Sequence, residues 1–252
     1  MTLEYLLELV HNYSTEDKEL IIRAYEFAKV CHQGVLRKSG EPYIIHPLSV
    51  ACILAEMHAD ADTIAAGLLH DVLEDCPQIT REDLAHTFNP TIAKLVDGVT
   101  KFKKIEYNND KALTVAANNQ KLVQGLLQDI RVIIIKLADN LHNMRTEQFQ
   151  PAHKQEEHAR ETMGLYVPFA RLTGAYKLMV ELEDLSFSYL NPQGYKEMDD
   201  LIKFVASEYE TEKEQILIEV AQMLNSNKIP FNIKSQIKSH YELHRKLLTY
   251  GS

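Results

Sequence analysis

Apolar residues recur every three or four positions through most of the chain, and convincing alternation of apolar and polar residues is not found. The period predicts helices over 2–12, 16–32, 47–58, 61–75, 80–87, 89–98, 111–127, 129–147, 151–172, 174–189, 194–206 and 210–226. An all-α fold follows. One segment resists the pattern. Val132-Ile133-Ile134-Ile135 is β-branched throughout, and by propensity it suits a buried strand as well as a helix. Loops are expected at 32–43, 101–110 and 225–232. The lysine-rich stretch at 101–110 suits either a lid or a solvated connector. The turn cluster Asn191-Pro192-Gln193-Gly194 marks a boundary, beyond which the sequence becomes more polar.

Within the predicted helix 61–75, "LLHDVLED" sets a histidine and three carboxylates among leucines and a valine. Asp60 suits its N-cap, and Pro77 biases the residue before it away from helical geometry, so this stretch forms the last two turns. On a helical projection His70, Asp71, Glu74 and Asp75 fall within about 140° of arc, opposite Ala65, Leu68, Leu69, Val72 and Leu73. Gly67 lies on the same polar face, leaving room beside His70 or allowing close packing of another helix. An ordinary solvated face would look similar. However, three carboxylates crowd a helix C-terminus, where the macrodipole disfavours anions, and that arrangement asks for a cation.

Other ligands for such a cation are available elsewhere. His46 stands just before Pro47 at a helix mouth. Asp139 follows an apolar run, and if 129–147 is helical, then Asp139, His142, Asn143 and Thr146 share one face, with Arg145 beside them. Ahead of His46, "LRKSGEPY" brings together Arg37, Lys38 and Ser39, groups that suit phosphate or a nucleobase and that equally suit a solvated turn.

Composition narrows the classes. At 252 residues with 45% hydrophobic side chains, the chain can bury one large core or two modest ones. Its 27 Lys+Arg against 36 Asp+Glu give a formal charge of −9, which opposes nonspecific nucleic-acid binding but leaves a small anionic ligand open. Neither a membrane-length apolar run nor a secretory signal pattern appears, and the chain reads as cytoplasmic with no membrane partner. Cys31, Cys52 and Cys76 fit neither a disulfide framework nor a thiolate zinc site.

The blocks "RKSGEPYIIHP", "AGLLHDVLED", "VDGVTKFKKIEY" and "DIRVIIIKLADNLHNMRT" occur in that order. Together they resemble the hydrolase domain of the RelA/SpoT-type (p)ppGpp synthetase/hydrolase enzymes, within the HD phosphohydrolase superfamily. The resemblance implies a helical HD-domain fold over 1–190, with 129–147 helical, followed at 191–252 by a helical connector. It implies metal ligands His46, His70, Asp71 and Asp139, with manganese as the ion. Glu74 and Asp75 match the acidic pair that handles the attacking water. Arg37, Lys38, Ser39, Asn143, Arg145 and Thr146 match the nucleotide-holding segments. The implied activity is that of a guanosine-3′,5′-bis(diphosphate) 3′-pyrophosphohydrolase of the stringent response. It removes pyrophosphate from the ribose 3′ position of ppGpp or pppGpp and leaves GDP or GTP.

Two departures stand out. Asn140 replaces the arginine common after the metal-binding aspartate, and "YVPFARLTGAYK" carries a displaced arginine and an extra Thr173. The stretch "IPFNIKSQIKSHYELHRKL" resembles the opening of a synthetase domain without its catalytic segments, so no synthetase activity is expected, and further domains of a longer chain are a natural partner. The same ligand set on another nucleotide, or a silent alarmone-binding module, are the alternative readings.

Overall fold

The structure, a computed structural model, describes the chain except for residues 101–116, 118, 121, 122, 126, 236, 251 and 252. The expected loop at 101–110 and much of the expected helix at 111–127 therefore lie outside the described residues. Two compact units appear, Met1–Leu182 and Glu183–Ser252. The expected all-α class is what the structure has. Among the described residues the only β pairing is a single bridge between Leu36 and Pro42.

In the first unit α1 (Leu3–Leu9), α2 (Thr15–Cys31), α3 (Ile45–Glu56) and α4 (Ala61–Leu69) are followed by the single turn α5 (Val72–Asp75). Next come α6 (Arg81–Thr87), α7 (Pro90–Val99), α8 (Arg131–Arg145), α9 (Ala152–Glu161) and α10 (Val167–Leu172). Helix α11 (Tyr176–Leu190) runs on from the first unit into the second.

Helix α4 is the hub, packing against α2, α3, α7 and α8. Its composition explains the position. From Ala61 to Leu69 every residue but Asp62 is buried, so this part of the segment has no solvated face, and the expected polar side opens only beyond it, at Asp71, Glu74 and the exposed Asp75. Asp60 caps the helix as expected, accepting from the Thr63 amide (2.8 Å) and hydroxyl (2.6 Å), while its other oxygen meets Arg131 at the start of α8 (3.0 Å). Gly67 answers to packing, since a Cβ there would lie 2.5 Å from Leu54 Cδ1 on α3. A side chain at this position would force the end of Leu54 to move.

The segment 129–147 is a helix despite its β-branched run. Val132, Ile133 and Ile135 are all buried, and burial outweighs the small propensity cost. Gly98 on α7 makes room for Val132, whose Cγ2 would sit 2.8 Å from an added Cβ.

Two expected helices are interrupted. The predicted helix over 61–75 breaks at His70 and Asp71, and the predicted helix over 151–172 contains a π-helical turn at Thr162–Tyr166. At that turn the Thr162 hydroxyl donates to Asn140 Oδ1 (3.2 Å), giving the unusual asparagine a partner.

In the second unit α12 (Pro192–Glu208) starts on an Asn191 cap, and α13 (Glu210–Ser226) follows. The final helix α14 (His240–Tyr250) was not expected from periodicity. A carboxylate distant in sequence forms its start: Asp184 accepts from the amides of His240 (3.1 Å) and Tyr241 (2.9 Å). No helix among the described residues is long and apolar enough to cross a membrane.

Candidate active site

Three helices of the hub deliver the central groups: His46 from the first turn of α3, His70 and Asp71 from the break after α4, and Asp139 from the middle of α8. The break has a local cause. His70 Nδ1 lies 2.8 Å from the Gly67 carbonyl and donates to it, capping an orphan carbonyl at the end of α4 and turning Nε2 inward. The backbone turns there, and α5 restarts with Asp71 as its cap.

Four ligand atoms converge. His46 Nε2 is 3.2 Å from Asp139 Oδ1 and 3.6 Å from Asp71 Oδ2. His70 Nε2 is 3.1 Å from Asp71 Oδ2 and 3.7 Å from Asp139 Oδ1. The ligand atoms of His46, His70 and Asp139 all lie within 4.8 Å of one another, and the three residues are buried. His70 Nε2, in particular, is fully buried and makes no hydrogen bond. With Nδ1 donating to Gly67, a neutral His70 points a lone pair at a carboxylate oxygen, and two electron-rich atoms left face to face call for a cation between them. Two imidazoles and two carboxylates suit a divalent ion of borderline hardness. The residues present therefore fit a metal.

Without an ion, a proton on His70 Nε2 is the other positive charge that can stand there. Burial alone would lower the affinity of His70 for a proton, but the adjoining Asp71 and Asp139 carboxylates reverse this and raise its pKa. Burial favours the neutral acid at Asp71, yet His70 and His46 hold its pKa below the ordinary range. His46 is the opposite case, lowered mainly by burial.

Lys136 and Tyr43 were absent from the expected set. Lys136 is 6% exposed, and its Nζ lies 2.7 Å from Asp139 Oδ2, opposite the oxygen that faces the histidines. Burial works against its charge, and the Asp139 carboxylate outweighs burial, so the ammonium stays protonated. The Tyr43 hydroxyl donates to Asp71 Oδ2 (2.8 Å). Its signal was faint, a tyrosine three residues before His46. The signal at Lys136 was plainer: a lysine amid an aliphatic run that packing turns inward.

Glu74 and Asp75 follow on α5, one turn beyond His70 and Asp71. Glu74 is half-buried, and the side chain of Asp75 is 46% exposed, with Oδ2 3.5 Å from Nε2 of the buried His32. The ring of His32 stacks on Tyr43 at 4.7 Å.

Beside this cluster the 36–42 loop closes on itself through Arg37 N to Glu41 O (2.9 Å), with Gly40 at φ 86° in its turn. Arg37 reaches across to α8, donating to Asn143 Oδ1 (3.1 Å) and Thr146 Oγ1 (3.4 Å). A cavity of about 240 Å³ is lined there by Arg37, Lys38, Ser39, Asn143, Thr146 and the half-exposed ring of Phe149, a residue outside the expected set. A second cavity of about 220 Å³, which also borders Arg37, Asn143 and Thr146, reaches Asp139, Asn140 and Tyr166. Arg145 is not among these groups. It points the other way along α8 and forms a bidentate pair with Glu181 (2.5 and 2.8 Å).

A helical hub that gathers His, His-Asp and Asp around one buried point defines a class, and residues 24–176 match the HD domain family. This chain belongs to that family. Over 246 residues it is 40% identical to the bifunctional (p)ppGpp synthase/hydrolase SpoT of Escherichia coli (strain K12), covering 97% of this chain and 35% of that protein. It is 39% identical over 245 residues to the guanosine-3′,5′-bis(diphosphate) 3′-pyrophosphohydrolase of Vibrio cholerae serotype O1, covering 97% and 34%. Similarity extends to the GTP pyrophosphokinase rsh of Brucella ovis, at 38% over 247 residues, 98% of this chain and 33% of that one. The chain thus spans about a third of the length of the curated relatives it matches. A solved structure described as a metazoan ortholog of SpoT that hydrolyzes ppGpp superposes with a TM-score of 0.55 at 28% identity, covering 68% of this chain and 96% of that one.

Proposed function

We propose that this chain hydrolyses guanosine 3′,5′-bis(diphosphate) and its pentaphosphate analogue at the ribose 3′ position, releasing pyrophosphate and GDP or GTP, in the cytoplasm as part of the stringent response. The observation that carries the reading is the juxtaposition of buried His46, His70 and Asp139, with Asp71 against them, and a basic cavity walled by Arg37, Lys38 and Asn143. The relatives named for this reaction support it. On this reading residues 1–190 are the hydrolase domain and 191–252 a connector.

His46, His70, Asp71 and Asp139 would hold the ion, for which we propose manganese. Such an ion supplies Lewis-acid polarisation of a phosphoryl oxygen and acidifies water. The remaining chemistry belongs to side chains of this chain. Arg37 and Lys38 bind phosphate charge, and Arg37 is held flat against α8 by Asn143 and Thr146. Ser39 and Asn143 offer polar contacts to the nucleotide, and the Phe149 ring offers a face for the base. Glu74 and Asp75 orient the attacking water and take its proton. Its oxygen then bonds to the phosphorus attached to O3′, the P–O3′ bond breaks, and O3′ is protonated as pyrophosphate departs. Acid–base assistance of this kind contributes about 10² to 10⁴ in rate.

The test incubates purified protein with the tetraphosphate and manganese and follows GDP and pyrophosphate, with His70→Ala and Asp139→Ala as controls. Manganese-dependent release lost in both variants is expected. Release that ignores manganese, or that survives either substitution, overturns the reading.

A further inference from the structure

We propose that His142 is a positioning residue for His46, its Nδ1 lone pair holding the proton of His46 Nδ1 so that His46 Nε2 is presented bare to the carboxylates. This inference rests on His46 being a metal ligand, as proposed above.

The two Nδ1 atoms lie 2.8 Å apart, both rings are buried, and only one of the two nitrogens can carry the proton between them. Arg37 decides which. Its Nη1 lies 3.5 Å from the same His142 Nδ1, and a guanidinium has donors only. The atom that faces both neighbours must therefore be the acceptor, which leaves the proton on His46. His46 Nε2, 3.2 Å from Asp139 Oδ1, then carries the free lone pair.

The distal N–H of a metal-bound histidine usually finds a carboxylate, a backbone carbonyl or water. Here it finds a second imidazole, for which charge supplies a reason. Asp71 and Asp139 already place two carboxylates in the cluster, and a third acid at residue 142 would add a buried negative charge that takes up the Arg37 guanidinium. A neutral acceptor orients the ring without that cost. His70 follows the same rule with a different neutral acceptor, the Gly67 carbonyl. Helix α8 carries Asp139 and His142 one turn apart, so a single element sets one ligand and orients another.

The experiment uses the full chain with two substitutions. His142→Phe keeps a ring and removes the acceptor; His142→Asn keeps an oxygen near the Nδ1 position and removes the ring. Calorimetric titration with Mn²⁺ should show about 10- to 100-fold weaker binding in His142→Phe, with most of the affinity restored in His142→Asn. Independently, ¹⁵N shifts of the metal-free wild type should report His46 as the Nδ1–H tautomer. Undiminished Mn²⁺ binding by His142→Phe, equal losses in both variants, or an Nε2–H His46 overturns the inference. Should a variant fail to fold, the wild-type tautomer decides alone. A flat wild-type titration instead sinks the metal reading above, and the tautomer still decides the role of His142.

Discussion

The two halves of the candidate site are built in opposite ways. The metal-type cluster is interior: its histidines and Asp139 are buried, on or beside helices that pack against one another, with each oxygen of Asp139 assigned, Oδ1 to the histidine side and Oδ2 to Lys136. The nucleotide-type rim is exterior: Lys38 and Ser39 stand on a self-closed loop whose fixed point is Arg37 on α8. In the interior a misplaced charge has no water to turn to, so geometry is enforced by packing and pairing; at the rim, solvent forgives.

The largest test of that contrast is Lys136→Met. It strips Asp139 Oδ2 of its buried counter-charge and should destabilise the metal-free protein by about 3–5 kcal/mol in chemical denaturation, partly recovered on adding a divalent ion. A loss under about 1 kcal/mol would mean that the interior is wetter than its packing suggests. Next, Gly67→Ala places a Cβ against Leu54 and should cost about 1–3 kcal/mol, with weaker metal binding because α3 and α4 carry the two histidines. Unchanged stability would show that α3 yields freely.

The interior should also respond to pH. In the metal-free protein His70 has its pKa raised from 6.5 to about 10. A raised folded-state value gives stability that is present below about pH 6.5 and lost as pH climbs toward 10. A metal must displace that proton, so its apparent affinity should rise by up to tenfold per pH unit across the window. Calorimetry in buffers of differing ionisation enthalpy checks this, and affinity flat with pH would contradict it. At the rim, Arg37→Ala should raise KM about tenfold with little loss of melting temperature, because the guanidinium meets ligand and polar partners without filling the core. The smallest effect is expected of Arg145→Ala. Its partner Glu181 is partly exposed, and KM should move less than about twofold, read from the same steady-state assay.

The sequence was most legible where a residue's meaning is local. Helical periodicity placed most helices, Asp60 reads as a cap because a short acceptor before an apolar run has few other uses, and His46, His70, Asp71 and Asp139 could be named as candidate ligands. Arg145 shows the limit. Its neighbours Asn143 and Thr146 meet Arg37, yet one residue's rotation along α8 turns Arg145 toward Glu181. Lys136 shows it from the other side, a charge whose aliphatic neighbours hint at burial but whose interior place is decided by the packing of α8.

Composition and period alone determined a mainly helical chain with its chemistry concentrated in a few short blocks, because the 3.6-residue repeat and the choice of ionisable side chains are properties of adjacent residues. Only the tertiary structure decided that the helix over 61–75 breaks at His70 and Asp71, that α4 is buried but for Asp62, and that Lys136, Tyr43 and His142 surround the cluster. Those outcomes depend on which helix lies opposite, as where the Leu54 side chain occupies the space beside Gly67, and no local pattern encodes what stands across the interface.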